Sequence, residues 1–108
     1  MKLTTIKLVT IIAPKYLKEA IVNLLKSTGI RGFTYYYVFG AGERQINGFE
    51  EDDVENVKFR VLVPKLLALT LMKVVSEEYF DKEKVIAFEQ DANVIRSSKF
   101  GQVDNENG

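Results

Sequence analysis

The chain has 108 residues, enough for a single domain that buries roughly two thirds of its unfolded surface without metal or disulfide support. Apolar residues make up 46% and charged residues 28%, and fifteen basic residues balance fifteen acidic ones, which removes the electrostatic footprint of a nucleic-acid binder. Cysteine and histidine are both absent, so thiolate metal sites, disulfides, redox pairs and imidazole bases are excluded.

Lys7 interrupts the apolar N-terminal residues, no small-residue cleavage site follows, and no apolar run approaches the ~18 residues that span a membrane. A cytoplasmic protein without direct membrane insertion is expected. Thr5 to Ile12 is β-branched and apolar and reads as the first strand. Pro14 stands where a helix can begin, and Leu17, Ala20, Ile21, Leu24 and Leu25 follow the spacing of an amphipathic helix. Gly29, after Ser27-Thr28, is placed for a left-handed C-terminal cap.

Phe33 to Phe39 is an aromatic strand with bulky residues on both faces, which predicts that both faces are covered. It runs into Gly40-Ala41-Gly42, with Arg44 just beyond. Glycines leave main-chain N–H groups open to an anion, and the arginine fork suits phosphate or carboxylate. A small-anion site is one reading of this stretch; a glycine-bearing connection with a solvated arginine is the other. A polar loop continues to about Asn56, with a turn at Asn47-Gly48 and an acidic run from Glu50 to Asp53.

Val57 to Val63 reads as the third strand. Pro64 opens a second helix, Leu66 to Tyr79, apolar nearly all round apart from Thr70, Lys73 and Glu77, so cover on more than one side is expected. Val85 to Glu89 is a fourth strand, and Ala92 to Ile95 could form a short fifth. Residues 101–108 hold little to bury and are expected to be a disordered tail behind a domain of residues 1–100.

The two halves repeat. Ile11-Ile12-Ala13-Pro14-Lys15-Tyr16-Leu17 returns as Val61-Leu62-Val63-Pro64-Lys65-Leu66-Leu67. Two strand–helix–strand units in one sheet give an α+β, ferredoxin-like βαββαβ sandwich: an antiparallel sheet with both helices on one face. The other face is too apolar to be wet, and a symmetric oligomer is expected to cover it. Relatives of this fold that bind RNA, carry metals through paired cysteines or cleave acyl phosphates need residues this chain lacks.

Gly32-Phe33-Thr34, the run to Gly40-Ala41-Gly42, and Arg44-Gln45 resemble the second strand and the start of the T-loop of PII signal-transduction proteins. Ile12-Ala13-Pro14, Thr28-Gly29-Ile30-Arg31-Gly32 and Phe88-Glu89-Gln90-Asp91-Ala92-Asn93-Val94-Ile95-Arg96 are similar to the family too. Glu43 stands between the second glycine and the arginine, a spacing closer to the PII-like branch associated with bicarbonate transporters than to nitrogen-regulatory PII.

The resemblance implies a homotrimer with inward-facing sheets and an adenine nucleotide in each cleft between subunits. It also implies a T-loop, about residues 43–56, that docks a membrane transporter or an enzyme. By position, Thr34 would meet the adenine or ribose, and the backbone of Gly40, Ala41 and Gly42 with Arg44 would meet phosphates. Phe88 and Glu89 would offer backbone groups to the base, and Arg96 would reach phosphate.

The glycine-rich, lysine-bearing loop that the nitrogen-regulatory members carry after the second helix is replaced by Tyr79-Phe80-Asp81-Lys82-Glu83-Lys84. AMP, cyclic AMP or ADP are therefore better expectations than ATP. The loop region lacks the tyrosine that other members modify, and Ser98 stands where they have a second arginine. Two functions follow: a nucleotide-responsive regulatory trimer, or a trimeric interaction scaffold without nucleotide binding. No residue pair suggests acid–base catalysis, so no enzyme is expected.

Overall fold

The computed structural model describes residues 1–40, 45–46, 49–50 and 54–95. Strand β1 (Thr4–Pro14) leads through a short 3-10 turn (Lys15–Leu17) into helix α1 (Lys18–Ser27) and strand β2 (Thr34–Gly40). Two short strands, β3 (Gln45–Ile46) and β4 (Phe49–Glu50), pair with each other. Strand β5 (Val54–Val63), helix α2 (Lys65–Tyr79) and strand β6 (Ile86–Val94) complete the chain. The main sheet is antiparallel with order β2-β5-β1-β6, the expected ferredoxin-like α+β arrangement.

The repeat is visible in the backbone. Pro14 and Pro64 adopt the same extended conformation, φ −55° and ψ 144° against φ −61° and ψ 157°, each just before a helical turn. Helix α1 ends as expected. Gly29 is left-handed at φ +95°, Ile30 N–H donates to the Leu25 carbonyl at 3.0 Å, and Gly29 N–H donates to that of Lys26 at 3.0 Å. The turn delivers Ile30 into the core beside Leu25.

That core lies between the helices and one sheet face. Val9, Ile11 and Ala13 of β1 and Val57, Phe59, Val61 and Val63 of β5 are sealed under Ile21, Leu24 and Leu25 of α1 and Ala68, Leu71 and Val75 of α2. The remaining face carries Leu8, Ile12, Leu62 and Phe88, with no second layer of this chain over it among the described residues.

Several expectations are corrected. Strand β5 begins at Val54, because Asn56, Glu55 and Val54 pair with Val38, Phe39 and Gly40. The polar loop read up to Asn56 is therefore shorter, and β3 and β4 lie within it. Strand β6 is continuous rather than two pieces; Asp91 stays in the ladder because Lys7 stands opposite and pairs with it at 2.7 Å. Ala20, read as part of the apolar stripe of α1, is exposed. Cover on both sides of α2 and β2 is not met within one chain: Leu66 and Leu69 are 78% and 63% exposed, and Tyr35, Tyr36 and Tyr37 about 40%, β2 being an edge strand. The tail and most of the acidic run, Glu51 to Asp53, lie outside the described residues.

Candidate functional site

Strand register decides which expected residues can meet. Side chains directly opposite in an antiparallel sheet share a face. Thr34 is opposite Arg60, Arg60 opposite Thr10, and Thr10 opposite Phe88, so these four form one row across the face without helices. Thr34 and Phe88 stand at the two ends of that row, roughly 14 Å apart at the usual strand spacing. Glu89 is in register with Val9 and projects to the helix face. Gly40, at the far end of β2, is roughly 20 Å from Thr34 along an extended strand. Ala41, Gly42, Arg44 and Arg96 lie outside the described residues. One chain thus does not gather Thr34, Gly40 and Phe88 around a common point.

Two details refine the expected roles. Gly40 is in ordinary strand conformation, and a Cβ there would meet only Asn56 Nδ2 at 3.5 Å, so the backbone at this glycine is open to other residues. Phe88 and Glu89 also cannot both offer main-chain groups outward, because successive residues of a strand point their N–H and C=O to opposite sides. Since β6 is an edge strand paired only with β1, one of the two faces the ladder and the other the free edge.

The segment in place of the glycine-rich loop has its own geometry. Asp81 is left-handed at φ 68°, and the N–H groups of Lys82 and Glu83 both donate to the Tyr79 carbonyl at 2.9 and 3.1 Å. Phe80 and Val85 N–H are likewise bonded, to Ser76 and Glu83 carbonyls. These amides are already spent inside the turn and cannot cradle a phosphate. The segment lines an open cavity of about 350 Å³ with Pro14 and Tyr16, whose hydroxyl donates to Glu83 Oε1 at 2.6 Å. Asp81 and Glu83 offset Lys82 and Lys84 there, so the cavity has no cationic bias.

Around β2 the 3-10 turn and the first residue of α1 add two cations that the sequence reading missed. Lys18 Nζ lies 4.9 Å from the Tyr35 ring centre and Lys15 Nζ 5.3 Å from that of Tyr37. The Tyr35 hydroxyl is the main reason the Lys18 ammonium is held above its usual pKa. Lys15 also pairs with Glu55 at 3.2 Å. On the other face, Lys58 Nζ lies 5.8 Å from the Tyr36 ring centre. The register also places Arg60 and Thr10 between Thr34 and Phe88, with Lys58 two residues from Arg60 on the same face of β5. Among the described residues, no three acidic side chains cluster to hold a metal ion, and no helix is long and apolar enough to cross a membrane.

Residues 6–99 match the family described as nitrogen regulatory protein P-II. A Thermus thermophilus protein described as a PII-like signaling protein superposes with a TM-score of 0.76 at 32% identity, covering 93% of this chain and 99% of that one. CPII of Thiomonas intermedia K12, in a structure bound to ADP and bicarbonate, superposes at 0.76 with 28% identity, covering 92% of this chain and 97% of that one. A second CPII structure, bound to ADP, AMP and acetate, gives 0.73 at 28% identity over 93% and 98% of the two chains. No curated protein sequence matches. With the family matched over most of the length and the βαββαβ sheet reproduced, the chain belongs to the nitrogen regulatory P-II family.

Proposed function

We propose that the protein is a PII-like signalling trimer that binds ADP or AMP in clefts between subunits and acts on a partner through the segment joining β2 to β5. The observation that carries this reading is the separation of Thr34 and Phe88 at opposite edges of one sheet face. A ligand touching both needs the Thr34 edge of one subunit against the Phe88 edge of the next. The apolar, uncovered sheet face supplies the reason to assemble, since large exposed apolar patches on soluble chains mark interfaces.

Ligand preference follows from the turn after α2. With the Lys82 and Glu83 amides bonded to Tyr79, a third phosphate finds these two donors already taken, which favours ADP and AMP over ATP and is in keeping with the nucleotides held by CPII. The glycine segment from Gly40 to Gly42, with Arg44 and Arg96, would hold the phosphates. Whichever of Phe88 and Glu89 faces the free edge of β6 would hold the base. The regulated transporter or enzyme would read the T-loop through ligand-dependent populations of its conformers, an effect limited by the ligand's differential affinity for them.

A thermal-shift panel with ATP, ADP, AMP and cyclic AMP, with and without magnesium, tests this. A ligand at about 100 times its dissociation constant stabilises by roughly 2.7 kcal/mol, several degrees for a domain of this size. Selective stabilisation by ADP or AMP that Arg44→Ala abolishes is the expected result. A flat panel at millimolar ligand would instead favour the second reading, a trimeric scaffold without nucleotide binding, to which the spent amides after α2 lend some weight.

A further inference from the structure

Helix α2 carries two stripes. Ala68, Leu71, Val75 and Tyr79 are sealed against the sheet. At about 100° per residue, Leu66, Leu69, Lys73, Glu77 and Phe80 stand on the opposite side, and all five are exposed. Phe80, at 71%, is as open as the two leucines. It keeps its place on the helix because its N–H donates to the Ser76 carbonyl at 3.0 Å. Thr70 adds no free donor beside them, since its hydroxyl already donates to the Leu66 carbonyl at 3.1 Å. The steps from Leu66 to Leu69, Lys73 and Phe80 follow the heptad spacing of a helix–helix seam.

The charges of α2 add a second, independent observation. The first turn holds no acidic residue and the last turn no basic one; Glu77 and Glu78 stand near the C-terminal end, which the helix dipole disfavours. Lys73 precedes Glu77 by four residues, the weaker order for such a pair, and the two form no ion pair among the described residues. Helix stability alone does not account for this order. A second α2 laid antiparallel over the first does. When Lys73 of one helix meets Glu77 of the other, the same pair recurs by symmetry, and Phe80 of each helix falls over Leu69 and Thr70 of the other. A parallel pairing would set Lys73 against Lys73 and Glu77 against Glu77.

We propose that the outer face of α2 is a docking surface for a second copy of this chain, paired antiparallel about a twofold axis through Leu69–Phe80 contacts and Lys73–Glu77 ion pairs. This contact lies on the helix side, away from the sheet face, so it joins one assembly to another and does not rest on the trimer. A helix of 15 residues is about 22 Å long and offers less than a standard interface, so a dissociation constant on the order of 0.1 mM is expected.

Light scattering by the full chain from roughly 10 µM to 1 mM tests the proposal. The mass should be that of the basic assembly at the low end and rise towards at least twice that value at the high end. Lys73→Glu and Glu77→Lys each set like charges together in both pairs, and each should weaken the association about tenfold. Mixing these two variants restores opposite charges in both pairs and should restore the rise in mass, as should the double variant Lys73→Glu/Glu77→Lys. Leu69→Ser, at an exposed position, should remove the rise at an unchanged melting temperature. The proposal is overturned if the mass of wild type does not rise with concentration, if either charge reversal leaves the rise intact, or if the mixture fails to restore it. Failure of the sheet-face assembly reads differently: a chain that is single at low concentration should still reach twice 12.3 kDa through α2.

Discussion

Thr34 and Phe88 share one face and one row of the sheet yet stand at its opposite edges, with Arg60 and Thr10 between them. A site that uses both ends of the row has to be built from more than one chain, and the face between them is the surface that assembly would cover.

Phe88→Asp tests that face. Phe88 is 41% exposed in the single chain, so an aspartate there costs little to the fold while placing a charge in the interface. Wild type should scatter light with threefold the 12.3 kDa mass of one chain, and the variant with the mass of one chain. Unchanged circular dichroism should accompany the loss of mass. A variant that keeps the full assembly would show that Phe88 lies outside the interface.

The glycine before β2, Gly29, and the one that ends it, Gly40, should respond in opposite directions. Gly29 has open space around it but a φ of +95°, so Gly29→Ala is penalised by backbone conformation alone, by about 1 kcal/mol or 4–8 °C in melting temperature. Gly40 is in extended conformation with room for a methyl group, so Gly40→Ala should change stability by between zero and about 1 kcal/mol in the favourable direction. Thermal unfolding of the two variants side by side checks the contrast.

What the sequence made legible was mostly local. Pro14 and Pro64 announced their helices and Gly29 its cap, each read within a few residues, and the repeat of Ile11 to Leu17 at Val61 to Leu67 announced the sheet. Asp91 looked like an interruption of the last strand because its compensation, Lys7, is distant in sequence and adjacent only through register. The same holds for the candidate site. Thr34 and Phe88 could be named from local resemblance, whereas Arg60 and Thr10 join them only once four strands are in order. The amides spent on the Tyr79 carbonyl are a property of turn geometry that the residues 79–84 do not spell out.

The Lys7–Asp91 pair makes a pH-dependent contribution of defined sign. Its hydrogen bond to Lys7, then the ammonium charge, hold the Asp91 carboxyl below its usual range, and the same bond holds Lys7 above its own. A depressed carboxylate stabilises the fold above its unfolded pKa of about 3.9, and that contribution is lost as pH falls through the lower folded value. A raised lysine stabilises below about 10.4, and its contribution is lost as pH rises through the higher folded value. Asp91→Asn should lower the urea midpoint slightly and evenly between these limits, and the difference from wild type should shrink beyond either one. The effect should weaken with salt, since Asp91 is largely exposed.

Tyr79 gives the fold an alkaline pH dependence of defined sign. Burial at the end of α2 raises its phenol pKa, with Glu78 and Glu83 adding to the shift. A raised folded value means stability present below about 10 and lost as pH rises through it, because the unfolded chain ionises first. In a spectrophotometric titration one tyrosine should ionise later than the others, and Tyr79→Phe should remove that late component. Should all the tyrosines titrate together in wild type, Tyr79 is not held neutral by burial.

The turn after α2 makes the sharpest statement about ligand preference. A third phosphate gains affinity only where fresh donors meet it, and the N–H groups of Phe80, Lys82, Glu83 and Val85 already donate to carbonyls of the chain. Asp81 and Glu83 place carboxylates beside the two lysines, so Coulomb attraction there is largely cancelled. ATP should therefore bind no more than about tenfold tighter than ADP, a difference of about 1.4 kcal/mol and less than one charge-assisted hydrogen bond. Asp81→Gly sharpens the test, because glycine relaxes the left-handed residue without freeing the Lys82 and Glu83 amides. With one carboxylate gone from beside the two lysines, it should raise the ATP to ADP ratio by no more than about threefold, a screened surface-charge effect, while the fold is as stable as wild type or up to about 1 kcal/mol more stable. A hundredfold preference of wild type for ATP in calorimetry would mean that the turn reopens around the ligand.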